Sequence, residues 1–425
     1  MTTLTPARKA CNGKAGGGPA CRGANGLPSQ AGVKLAKGAS LGTNAKYECR
    51  PMDSRVQRFA LQSVSRSILP ESRTAKCLRI RAHGAEVQVW KSIEYRTAQY
   101  GGLQTCGSVW ACPVCAAKIA ERRRVEVLAA MTSHKAQGGC VNLLTLTTPH
   151  QRTDNLAELL AKQAKALRSF WSDRQVKAVF QEMGTIGQIR AMEVTHGRKS
   201  PHNNGWHPHY HVLMFQGSGV DLVRFDHAQM RDWEVRLYLR WAARCKAAGL
   251  GEPSMAHGLK LDNGAKAAKY VTKWGLEDEM TKGHTKKALH GETPFDFLRA
   301  SLADAKDVQA RALFLEFATT FKGKRQLHWS HGLKAMFSIE EASDDELSTR
   351  VEEQAILLGL LTVDQWRDVL RVDGRATVLE IAAASGWNEV QRYLWFIEGA
   401  AKGVQFDPSM LAEARTLLLP SEPVN

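Results

Sequence analysis

Two periods organise the apolar positions from Cys77 onward. Ala85 to Ile93 alternates apolar and polar side chains, the period of a half-buried strand. Val141 to Thr148 is rich in β-branched residues and leucine and is closed by Pro149, and Ile186 to Thr195 reads as a further strand. Ala116–His134 reads as a basic helix and Asn155–Met183 as helical; further on, Leu222–Gly249 has helical periodicity and Ala265–Trp274 reads as a second short helix. After Trp329 the pattern turns mainly helical, with Leu357–Leu361, Trp366 and Trp387–Trp395 read as parts of a helical appendage. No internal repeat is evident. Strands interleaved with helices in this way predict an α+β domain.

Composition adds boundaries. The first 50 residues hold nine glycines, eight Lys or Arg and one acid, Glu48, so residues 1–70 read as a mostly disordered basic arm. The expected order is then a zinc-binding module with an Arg-rich helix (71–134), a catalytic domain (135–335) and a helical C-terminal region (336–425). Fifty-eight Lys+Arg against 42 Asp+Glu leave a net charge of +16, which suits a polyanionic partner. No apolar run approaches the ~18 residues of a membrane span, and the N-terminus lacks the apolar core of a secretory signal. Nucleic acid is therefore the expected partner and the cytoplasm the expected compartment. Nine unevenly spread cysteines do not form a secreted disulfide framework.

Two clusters carry candidate chemistry. Gly205-Trp-His207-Pro-His209-Tyr-His211-Val-Leu-Met-Phe215 places three histidines on one face of a strand, a seat for a divalent metal. Glu193 lies in the preceding strand, and a hairpin would bring it alongside. Three protein ligands with open positions suit Mg²⁺ or Mn²⁺ beside a phosphate oxygen. The second cluster is Cys106-Gly-Ser-Val-Trp-Ala-Cys112-Pro-Val-Cys115. Thiolates two residues apart can both reach one Zn²⁺, and Cys77 is the nearest fourth ligand, with His83 its competitor. The run Arg122-Arg123-Arg124 on the following helix is placed to meet DNA phosphates; a solvated helix face is the competing reading.

A phosphoryl-transfer site also needs a nucleophile. Tyr270 and Lys273, three residues apart, share a helix face, and a phenol gains nucleophilicity beside positive charge or a metal.

Four segments in order resemble the rolling-circle plasmid replication initiators of the HUH endonuclease superfamily. They are the cysteine cluster with its arginine helix, Leu144-Thr-Leu-Thr-Thr-Pro-His150, the His-Pro-His-Tyr-His strand and Lys269-Tyr270-Val-Thr-Lys273. A fifth, Gly323 to Lys334, looks like the segment that follows the nuclease core in such proteins. The resemblance implies a central antiparallel sheet flanked by helices, metal on His209 and His211, and Tyr270 as the nucleophile that nicks single-stranded origin DNA. It implies a covalent 5′-phosphotyrosine and a free 3′-hydroxyl primer, with Lys273 steadying charge and Lys269 among the DNA contacts. Host helicase and DNA polymerase are the partners such a role implies. Lys266 stands where some relatives carry a glutamate one turn before the tyrosine, so no general base is assigned. Two readings compete: a non-catalytic zinc-containing DNA-binding protein, and a relaxase- or transposase-type strand transferase. The tyrosine follows the histidines, which disfavours the relaxase order.

Overall fold

The computed structural model describes residues 51–93, 97–201, 203–217, 227–262, 291–350 and 354–407. Its centre is a five-stranded sheet formed by β3 (Cys140–Thr147), β4 (Thr185–His196), β5 (Trp206–Gln216), β6 (Leu259–Asp262) and β7 (Leu327–Trp329). The strand order is β6-β3-β5-β4-β7, with every pairing antiparallel. The protein is thus α+β, as the alternation predicts.

The period of two assigns the faces. Leu144, Leu146, Tyr210, Val212 and Met214 point to one side and share an apolar cluster with Phe170 of α4 (Leu156–Ser172), Val176 of α5 (Arg174–Glu182) and Trp233 and Trp241 of α6 (His227–Ala247). The odd-numbered residues face the other way. There Val141, Ile189, Leu213 and Phe215 pack on Val127, Ala130 and Met131 of α3 (Pro113–Ala136). His209 and His211 of β5 lie on this same face.

The single helix expected over 155–183 is two. Asp173 ends α4 and caps α5, its carboxylate accepting from the Gln175 backbone N–H at 2.8 Å, a cap of about 1 kcal/mol. Its other oxygen accepts from Arg240 and Arg244, and these bonds to two arginines hold the carboxyl well below its ordinary range despite burial.

Around this centre stand α1 (Pro51–Ile68), α2 (Arg73–Lys76), and helices α7 (Pro294–Ala303) and α8 (Val308–Thr320). The α1 helix falls inside the stretch read as a basic arm. Phe59 and Leu61 are buried, each in a different apolar cluster. Residues 1–50 of that arm lie outside the described residues.

A second, three-stranded antiparallel sheet runs β2-β1-β8, with β1 (Val87–Ser92), β2 (Ala98–Gly101) and β8 (Ala355–Leu361). Leu357–Leu361, expected in a helical appendage, is therefore a strand. A short leucine run carries no period of its own, and the β1 edge with which it pairs decides its conformation. Short helices α9 (Leu333–Met336) and α10 (Asp344–Thr349) precede β8, and α11 (Val363–Arg371), α12 (Arg375–Ala384) and α13 (Trp387–Ala401) follow it. The last three share one apolar cluster with β1 and β2, built on Val89, Tyr100, Trp366, Val378 and Leu394.

Candidate metal centres

Strand register builds the first centre. Glu193 on β4 stands directly opposite His209 on β5, and Ala191 stands opposite His211. On the other flank, Thr147 and Thr145 of β3 face the same two histidines. Four short or acidic side chains therefore flank two imidazoles on the sheet face that also packs against α3. Glu193 Oε2 lies 3.5 Å from Nε2 of both His209 and His211, and the three side chains are 10–13% exposed. The three donor atoms lie within 4.8 Å of one another. Ligands around one octahedral ion with ~2.1 Å bonds stand roughly 3.0 Å apart when adjacent and 4.2 Å when opposite. The donor set, two imidazole nitrogens and one carboxylate oxygen, thus fits a single divalent ion with positions left open.

The ring nitrogens away from this point are also engaged. His211 Nδ1 lies 3.2 Å from Thr145 Oγ1, and His209 Nδ1 lies 3.3 Å from the His207 carbonyl oxygen. Such contacts fix ring orientation and leave Nε2 toward the ligand position. Thr145 was not singled out from sequence. Its signal was the Thr145–Thr147 alternation, which has the same period as the histidines one strand away.

His207 shares the face but turns elsewhere. Its Nδ1 lies 3.4 Å from His150 Nδ1, in the segment after Pro149. Burial, with the neighbouring His209 and His150 imidazoles, pushes its pKa down to about 3. Gly205 makes this approach possible: its φ is +76°, and a Cβ there would meet the Arg152 Cα at 2.9 Å.

Pro208 sits in a strand, where a missing N–H is normally costly. The β3–β5 ladder ends at Thr147 opposite His209, so Pro208 lies just beyond it and pairs only with Val194 of β4. Its carbonyl accepts from buried Gln163 of α4 at 2.9 Å. Trp206, 2% exposed, pins the strand's start by donating to Glu316 at 3.1 Å.

The second centre joins Cys77, just after α2, to Cys106, Cys112 and Cys115 at the start of α3. All four are buried. The sulfurs of Cys77 and Cys115 are 3.4 Å apart, those of Cys106 and Cys115 3.7 Å, and those of Cys112 and Cys77 3.8 Å. A tetrahedral zinc with ~2.3 Å bonds to sulfur separates its ligands by roughly 3.8 Å, so this group can bind a metal such as zinc. Gln62 of α1 donates its amide to Cys112 Sγ at 3.2 Å.

The arginines after Cys115 turn to protein acceptors. Arg123 pairs with Glu126 at 3.0 Å and Asp344 at 2.9 Å and is 13% exposed. Arg124 pairs with Glu121 at 2.7 Å, and Arg122 donates to the Arg350 carbonyl at 3.3 Å. Tyr270, Lys273, Lys269 and Lys266 lie outside the described residues. The segment that holds them leaves from Asp262, which pairs with Leu143 beside the Thr145–His211 row. It returns at Glu292, bridged to His196 three residues beyond Glu193. Glu292 is held there by Arg198 at 2.8 Å, which also grips Asp307 at 2.8 Å.

Residues 102–229 match the family model described as "Replication protein". That stretch contains the last three cysteines of the second centre and all three side chains of the first. That stretch is thus similar to a replication-protein domain. Among curated proteins it is 27% identical over 353 residues to "Protein rep" of Streptomyces lividans, covering 67% of this chain and 75% of that protein. It is 32% identical over 149 residues to "Neomycin resistance protein" of Streptomyces cyanogenus, covering 29% of this chain and 33% of that protein. The resemblance to plasmid replication initiators read from the motifs is borne out by the domain match and the first of these relatives. No solved structure matches the chain. Among the described residues, no helix is long and apolar enough to cross a membrane.

Proposed function

We propose that this protein starts rolling-circle replication by nicking one strand of origin DNA through Tyr270, in the manner of HUH endonucleases. The observation that carries the reading is the Glu193–His209–His211 cluster, three metal-type ligands gathered on adjacent central strands with positions left open. A bound Mg²⁺ or Mn²⁺ supplies Lewis-acid polarisation of a phosphate oxygen. The protein's part is to hold the scissile phosphate over the β4–β5 face while the Tyr270 phenolate attacks phosphorus. The bond from phosphorus to the 3′ oxygen breaks, the 3′ oxygen takes up a proton, and the 5′ phosphate stays on the tyrosine. Lys273 lowers the cost of the phenolate. Because one phosphoester replaces another, the strand can be rejoined without ATP.

The anchoring of the 263–290 segment supports this assignment. Tyr270 follows Asp262 by eight residues, a reach of at most about 28 Å, and Asp262 starts from the sheet edge beside the site. Phosphate contacts are proposed for Lys269 and for Lys260, which is 62% exposed and in register with Thr145. Arg122, Arg123 and Arg124 would reach DNA only by exchanging acceptors they already hold. The four-cysteine group is proposed as a structural zinc site, and host helicase and DNA polymerase as the proteins that take over the nicked strand.

Single-stranded oligonucleotides tiled across the protein's own replicon, incubated with Mn²⁺ or Mg²⁺, test the reading. Wild type is expected to give one cleaved product and one protein–DNA adduct, and Tyr270→Phe neither. Cleavage and adduct surviving in Tyr270→Phe would remove the tyrosine from the chemistry.

A further inference from the structure

Arg375, the first residue of α12, is 0% exposed. A cation there meets the positive end of the helix dipole, and burial adds to the cost. The carboxylate it bonds is Asp373 at 3.1 Å, which is half-exposed and also bonds Arg79 at 3.1 Å. Two guanidinium groups therefore share one surface carboxylate.

The inner side of Arg375 turns to α1. Its Nη1 donates to Gln62 Oε1 at 2.6 Å, and the Gln62 amide in turn donates to Cys112 Sγ at 3.2 Å. Gln62 and Cys112 are both buried. The same Nη1 reaches the carbonyl oxygen of Leu78, the residue after Cys77, at 3.4 Å. Leu78 has φ +50°, a left-handed conformation that a leucine holds only when its surroundings impose it. One side chain of the last helices thus supports two of the four cysteines, on separate segments of chain.

The chemistry of the centre gives this arrangement a purpose. Four thiolates around one Zn²⁺ leave a net charge of about −2 in a buried place. N–H donors to sulfur and a nearby cation stabilise such a charge, and a guanidinium bonded to the amide oxygen strengthens the amide's own donation.

We infer that Arg375, acting through Gln62 and Leu78, positions the cysteine ligands, so that zinc binding and the seating of α12 on α1 strengthen each other. This rests on the zinc reading of the four cysteines and is independent of the nicking chemistry. Coupling is reciprocal: seated α12 tightens zinc by the factor by which zinc tightens the seating.

Zinc affinity of the full-length protein, measured by competition with a chromogenic chelator, tests the proposal together with amide exchange of α12 with and without zinc. Gln62→Leu and Arg375→Met are each expected to weaken zinc about 10- to 100-fold. The double variant should fall no further than the weaker single one, within a factor of about three, because the two side chains act in series. Arg375→Lys, which keeps the charge, should hold zinc more tightly than Arg375→Met. Removing zinc from wild type should speed α12 exchange roughly tenfold or more, and by a smaller factor in Gln62→Leu. If Arg375→Met does not fold, Gln62→Leu and the exchange rates decide alone. Wild-type zinc affinity in Gln62→Leu would overturn the coupling, as would losses that simply add, since Arg375 would then be packing only. A wild type that takes up no zinc would overturn the zinc reading and the coupling together.

Discussion

The two metal-type clusters contrast in how they are closed. The four sulfurs are buried among Val109, Ile119 and Leu347, and they match in number the four ligands a tetrahedral ion takes. The Glu193–His209–His211 group offers three ligands, fewer than a tetrahedral or octahedral ion takes. A closed shell can only hold structure together, whereas an open one can also receive a substrate oxygen. The difference comes from where each cluster sits: one ties a loop to a helix start, and the other lies along paired strands whose backbone is already satisfied.

If the contrast is right, substitutions at the two centres should fail in different ways. The largest effect is expected at the cysteines. Cys112→Ser should lose the metal and several kcal/mol of stability, since structural zinc contributes on the order of 10 kcal/mol in small domains. Metal analysis and a thermal melt would show both together, and a melt unchanged in a metal-free protein would make the closed shell dispensable.

Glu193→Gln should instead leave the melt nearly unchanged while nicking falls roughly 10³-fold, about 4 kcal/mol of transition-state stabilisation. Equal rates of oligonucleotide cleavage in the two proteins would break the assignment of this face. A smaller effect belongs to Thr145→Val, which removes the hydroxyl at His211 Nδ1. Mn²⁺ affinity should weaken about 10- to 100-fold, measured by titration, with little change in fold.

The smallest effect concerns pH. His207 has a folded pKa of about 3 against an ordinary 6.5, so below pH 6.5 the unfolded chain binds the extra proton. Its contribution to stability is therefore full above pH 6.5 and is lost as pH falls toward 3. Replacing His207 with Gln should flatten the dependence of the urea midpoint on pH between 7 and 5. A slope identical to wild type would mean that other groups set it.

Much of this was legible before any coordinates. The strands β3, β4 and β5 and the basic helix α3 were read from composition and pattern, and the His209–His211 pair with Glu193 followed from side-chain direction along a strand. Cys77 was the candidate fourth ligand with His83 as its competitor, and the structure gathers Cys77 with the other three. Other features were not legible. The break at Asp173 depended on arginines about 70 residues away, and β8 depended on a partner strand more than 250 residues earlier. The arginine run looked ready for DNA because a sequence does not show the Glu126 and Asp344 carboxylates closing on Arg123.

By itself, then, the sequence determined which residue types could ligate metal and which strand face they share, because side-chain direction along a strand is a local property of the backbone. Only the tertiary structure decided that β4 lies beside β5 with Glu193 at His209, and that α3 packs against Val141, Ile189, Leu213 and Phe215. Those are matters of register and packing between distant segments, and they are set by the whole core rather than by any one stretch of chain.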